Sequence, residues 1–92
     1  RVLRNSTVSQ WLAAGRPGSG ERPGERQVIG TSPDRDIVRY MSHTPNEATE
    51  GDVEAMSMWA GQGVGLIRTV QPAAEIITQL WSEAEATLAG LA

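Results

Sequence analysis

Pro72-Ala73-Ala74-Glu75-Ile76-Ile77-Thr78-Gln79-Leu80-Trp81-Ser82-Glu83-Ala84-Glu85-Ala86-Thr87-Leu88-Ala89-Gly90-Leu91 is the stretch on which the fold turns. Ala73, Ile77, Leu80, Trp81, Ala84, Leu88 and Leu91 recur at three- and four-residue steps. That spacing gathers side chains on one face of a helix with its 3.6-residue turn. Pro72 stands where a first helical residue tolerates a missing N–H. The spacing therefore predicts an amphipathic helix of about five turns. Its apolar stripe needs a cover, and a 92-residue chain broken by loops offers little to supply one. A partner surface outside the chain is expected.

Working upstream, Asp52 offers a capping carboxylate, Val53, Met56 and Ala60 share one helical stripe, and Gly61 is a stop signal. A helix over residues 53–60 is predicted. His43 to Gly51 reads as a solvated connection in which Pro45 blocks helix continuation. Asp36-Ile37-Val38-Arg39-Tyr40-Met41 is rich in β-branched and aromatic residues and is favoured as a short strand. Ser32-Pro33-Asp34 is a turn or helix-start signal, and Gln27 to Gly30 is too brief to classify. Gly15 to Gly24 is so dense in Gly and Pro that no regular element survives, so residues 15–31 are read as a mobile loop. Before it, Val8, Trp11 and Leu12 lie at helical spacing behind Ser6, which predicts a short helix over 7–14. The expected whole is one incomplete domain, mostly helical with one or two short strands.

Composition bounds what such a chain can be. Ten Gly and five Pro break up a chain that is 39% hydrophobic and has no Phe, so a self-sufficient core would be thin. Cysteine is absent, which removes disulfides and thiolate metal sites and makes the cytoplasm the default expectation. A net charge of -3 is opposite to the basic footprint of a phosphate-neutralising protein, so nucleic acid is not an expected partner. No apolar run approaches the roughly 20 residues of a bilayer span, so no membrane partner is expected either. The chain also opens on Arg1 in mid-phrase, which reads as excision from something longer.

Trp59-Ala60-Gly61-Gln62-Gly63-Val64-Gly65-Leu66-Ile67-Arg68 is the most unusual run. Its glycines at alternate positions allow close backbone approaches and could present the Gln62 amide to a ligand. The same punctuation also fits a helix C-cap followed by tight loop packing. It is not a dinucleotide fingerprint, because the third glycine spacing is wrong and no strand clearly precedes it. Gly18-Ser19-Gly20 fails the same test, and neither run carries the Lys-Ser/Thr of a phosphate-binding loop.

Gly51-Asp52-Val53-Glu54-Ala55, then Met58 through Ile67, then Pro72-Ala73-Ala74-Glu75-Ile76-Ile77 closely resemble the C-terminal end of the nitronate monooxygenase family. Arg1-Val2-Leu3-Arg4-Asn5 looks like the family segment that follows the last barrel strand, so the resemblance covers nearly the whole chain and is weakest over residues 15–31. It implies an α/β fold class: this chain would be the C-terminal fragment of an FMN-binding (β/α)8-barrel enzyme. Residues 1–60 would belong to a small capping domain, and residues 61–92 would supply the Gly-rich loop and a terminal helix packed on the barrel. It further implies oxidation of alkyl nitronates with molecular oxygen, FMN as cofactor, and the N-terminal barrel portion as partner. Gly61, Gln62 and Gly63 would then line or support the flavin and substrate mouth, and Trp59 would shape the substrate pocket. The family's catalytic His and phosphate loops lie upstream, so no catalytic residue is assigned and the fragment is expected to be inactive alone.

Other candidates have plainer readings. His43 is of the residue type that can serve as acid, base or ligand, but it stands in a Ser-His-Thr-Pro loop, and no second His or Cys accompanies it. Glu47, Glu50, Asp52 and Glu54 read as a solvated acidic face, so no metal is expected. Trp11 and Trp81 fall on helical apolar stripes and are expected in the core. No Ser/His/Asp arrangement can be built from one His. The rival to the flavoenzyme reading is a standalone helical module that self-associates through Ile77, Leu80, Trp81 and Leu88, since docking on a barrel and dimerising use the same face.

Overall fold

A computed structural model describes residues 1–91. The fold is a mixed α/β arrangement of two helices and one antiparallel sheet of three short strands, more sheet than the sequence predicts. In chain order come α1 (Ser6–Ala13), β1 (Val28–Ser32), β2 (Arg35–Val38), β3 (Glu50–Gly51) and α2 (Ala73–Gly90). Short 3-10 turns occupy Val53–Ala55 and Gln62–Leu66. The sheet order is β2-β1-β3, with β1 central and antiparallel to both neighbours.

β1 and β2 form a hairpin closed by Pro33 and Asp34, with Ser32 opposite Arg35. Val28 pairs with Val38 while Gly30 pairs with Ile37, so Ile29 is an extra residue in a β-bulge. The bulge breaks the in-out alternation and lets Ile29 and Gly30 both face inward. Gly30 then lies against Gly51 of β3. A Cβ on Gly30 would stand 2.4 Å from the Glu50 carbonyl oxygen, and one on Gly51 would stand 2.6 Å from the Gly30 Cα. Gly51 also has φ +113°, a conformation that side-chain-bearing residues avoid. The two glycines are what allow β1 and β3 to approach.

Ile29, Ile37, Ala55 and Met56 are the buried apolar core, with Met41 packed against it. α1 is tied to this core by side chains. Asn5, rather than Ser6, caps the helix: its side chain accepts from the Val8 N–H at 3.1 Å and donates to the Met56 carbonyl at 2.7 Å. The Ser6 N–H donates to a Glu54 carboxylate oxygen at 2.8 Å. Hydrogen bonds from Ser6, side chain first and then backbone, hold the Glu54 carboxyl below its ordinary value. Glu54 is therefore a helix-end anion and not merely part of a solvated face.

The helix expected over residues 53–60 is a single 3-10 turn, and the Asp52 side chain makes no capping bond. The physical reason is a nonlocal partner. Leu3 N–H donates to the Met58 carbonyl at 2.8 Å, Val2 bridges to Trp59, and Ala60 N–H donates to the Arg1 carbonyl at 2.8 Å. Extended pairing with the N-terminal residues takes the backbone groups that a helix would have used.

Beyond Trp59 the character of the molecule changes. α2 matches the predicted helix in place and length, yet none of its side chains is buried. Ile77, Leu80, Trp81 and Leu88 are each between 62% and 69% exposed, so Trp81 is not in a core as expected. The Thr78 and Thr87 hydroxyls donate to carbonyls one turn back, and Gln79 donates to Glu83, all within the helix. The radius of gyration is 18.2 Å. A compact chain of this length would have about 12 Å.

Candidate functional site

A cavity of about 450 Å³ lies between the N-terminal segment, α1 and residues 55–58. It is open to solvent on one side, and its volume lies within the range of ligand sites. Leu3 and Val8, Trp11 on α1, and Met56 and Met58 supply an apolar lining. Tyr40 and Arg22 come from the far side of the chain.

Each wall side chain is held by a specific local cause. The Trp11 indole N–H donates to the Pro17 carbonyl at 2.9 Å, fixing the ring against the turn that follows α1. The Tyr40 hydroxyl donates to the Pro23 carbonyl at 2.8 Å. Tyr40 has φ +71°, an outlier for a bulky residue, and such strain persists only where the surroundings over-determine it. The Arg22 guanidinium sits 4.4 Å from the centre of the Tyr40 ring, a cation–π placement. Arg22 is also paired with Glu25. A backbone hydrogen bond from Gly20, with Arg22 and Arg26 adding attraction, holds the Glu25 carboxyl below its ordinary value and so keeps it charged.

Thr7 and Ser57, two polar side chains of the lining, are hydrogen-bonded within the protein. Thr7 donates to the Ala55 carbonyl at 2.7 Å and accepts from Arg39 Nη1 at 2.6 Å. Arg39 Nη2 donates to the Gln27 side-chain oxygen at 2.9 Å, while Nε is buried with no partner. Arg39 is only 7% exposed, so a cation is buried here on neutral acceptors. Ser57 Oγ donates to the Met41 carbonyl at 2.9 Å.

The residues singled out from sequence lie elsewhere. Gly61, Gln62 and Gly63 are exposed at the start of the second 3-10 turn, and added Cβ atoms on Gly61 or Gly63 would meet nothing within 4 Å. Trp59 is 57% exposed and lies outside the cavity lining. His43 is tied to Thr49 at 3.2 Å within its connection. Among the described residues no His, Asp and Glu cluster could hold a metal ion, and no helix is long and apolar enough to cross a membrane. The cavity escaped sequence reading because its walls come from separate segments. Trp11 was the one available signal, an aromatic on a helix too short to bury it.

Compared with protein-family models, with curated proteins and with solved structures, the chain matches none.

Proposed function

We propose that this chain is the C-terminal portion of an FMN-dependent oxidoreductase of the nitronate monooxygenase type, in which α2 docks on a barrel supplied by the preceding part of the protein. In the intact enzyme electrons would pass from the nitronate carbon to the flavin and on to molecular oxygen. Gly61, Gln62 and Gly63 would support the flavin and substrate mouth, and Trp59 would shape the pocket. The observation that carries this reading is the run of uncovered apolar residues from Trp59 onward. Trp59, Leu66, Ile67, Ile77, Leu80, Trp81 and Leu88 are all exposed, and they fall in the segment whose residues resemble that family. So extensive an exposed apolar surface marks an interface.

The test is to extend the chain with the coding sequence that precedes Arg1. Barrel strands with a glycine-rich phosphate loop are expected there, and the extended protein should purify yellow and consume oxygen with propyl nitronate. Gln62→Ala in that protein should lower turnover or flavin retention. An extension with no such loop would remove the proposal. The same exposed face favours one rival, a self-associating module, and a flavin-free, cooperatively melting dimer of the 92-residue chain would favour it.

A further inference from the structure

We infer that the cavity beside α1 is a binding site for a small, flat, apolar molecule carrying one neutral hydrogen-bond acceptor, with Trp11 and Tyr40 as its walls and Arg22 as its donor. This site is separate from the flavin reading above and does not depend on it.

The class of ligand follows from what the walls leave uncommitted. Asn5, Thr7, Ser57, the Trp11 indole and the Tyr40 hydroxyl each already donate to a backbone carbonyl. Arg22 is the one charged side chain of the lining. Its Nε is engaged by Glu25, and Nη2 reaches Ser19 only at a long 3.5 Å. The terminal guanidinium N–H groups, with the Ser19 hydroxyl beside them, are thus the donors that a ligand would meet. Because Glu25 neutralises that guanidinium, a carbonyl or ether oxygen suits it better than a second carboxylate. The remaining wall, of Leu3, Val8 and Met58, is apolar and rewards a body with no other polar atoms. Two aromatic rings held by their own hydrogen bonds favour a flat body over a branched one.

The test uses the 92-residue chain with acetophenone, benzoate and ethylbenzene, following the Trp11 indole N–H and the methionine methyls by NMR. Acetophenone should give saturable shifts at Trp11 and Met58, and benzoate should bind more weakly. Trp11→Ala should weaken acetophenone by about tenfold or more, while Trp11→Phe should retain most of the binding. Arg22→Gln should weaken acetophenone several-fold and leave ethylbenzene unchanged, a difference that mere loss of structure would not produce. Leu80→Asp, on the exposed face of α2, should change nothing. Shifts confined to α2, benzoate binding more tightly than acetophenone, or equal loss of all probes in Arg22→Gln would each overturn the proposal. None of these readouts depends on flavin, so failure here is distinguishable from failure of the oxidoreductase reading.

Discussion

Residues 1–58 and residues 59–91 obey different rules. In the first part, a buried or half-buried residue is held by partners far along the chain: Thr7 by Ala55 and Arg39, Asn5 by Met56, Gly30 by Gly51. In the second, the side-chain hydrogen bonds are local and no residue is buried, although the apolar content is at least as rich. The difference teaches that apolar periodicity announces that a face will be covered but not by what. α2 has the pattern of a packed helix without the packing.

The sharpest way to test this division is with glycines that look alike in sequence. Gly51→Ala places a methyl against the Gly30 backbone at a positive φ, in a unit whose apolar core is four side chains. It should cost about 2–4 kcal/mol, a large share of what so small a packed unit possesses. Gly63→Ala meets open space and should stay within about 0.5 kcal/mol of the parent. Urea unfolding followed by near-ultraviolet signals would compare them. Equal effects would mean that β1 and β3 do not approach as described.

Next in size is Thr7→Val. The change keeps the shape but removes the hydroxyl that serves the Ala55 carbonyl and the Arg39 guanidinium together. Two buried polar groups lose a partner, at a combined cost of about 2–3 kcal/mol. Arg39→Met in the Thr7→Val background should recover part of that loss, because it removes a buried cation that has lost one of its two acceptors. A double-mutant cycle measures this coupling. Strict additivity would contradict it.

A smaller effect concerns acid. The Glu54 carboxyl is held below its ordinary value by Ser6, so its folded form binds a proton less readily than its unfolded form. The stability it contributes is therefore present above the ordinary glutamate range and is lost as the pH falls through that range toward the lowered folded value. Glu54→Gln should flatten the acid limb of stability against pH and leave stability near neutral pH only slightly reduced. An unchanged acid limb would mean that the Ser6 contact does not persist in solution.

How much of this was legible follows the same division. α2 and α1 could be read within a residue or so, because 3.6-residue periodicity and a proline or small polar start are local signals. β2 was read from Ile37 and Val38, though it stops before Arg39. β1 was not, because a bulge at Ile29 and a glycine at 30 erase the alternation that marks a strand. Residues 53–60 do not form the helix that their spacing predicts, since Met58, Trp59 and Ala60 pair with the N-terminal residues, about which periodicity is silent. The cavity failed for the same reason. Tyr40 and Arg22 are brought to Trp11 by tertiary structure alone.

The smallest expected effect is the most informative about α2. An 18-residue helix with no buried side chain draws on propensity and internal bonds alone, which in water is marginal. Leu80→Asp should therefore leave the cooperative unfolding of residues 1–58 unchanged within about 0.5 kcal/mol, as followed by the fluorescence of Trp11 in a background where Trp59 and Trp81 are both replaced by Gln. The helical signal of α2 should melt gradually and at lower temperature than that transition. If Leu80→Asp instead lowers the main transition, and does so more at higher protein concentration, the face is already covered by a second copy. If it lowers the transition independently of concentration, α2 packs on its own chain and the separation into two regions fails. In a longer protein that supplied the missing surface, the same substitution would move from negligible to several kcal/mol, because the charge would then be buried without a partner. The contrast between the two settings measures how much of α2 was shaped for a neighbour.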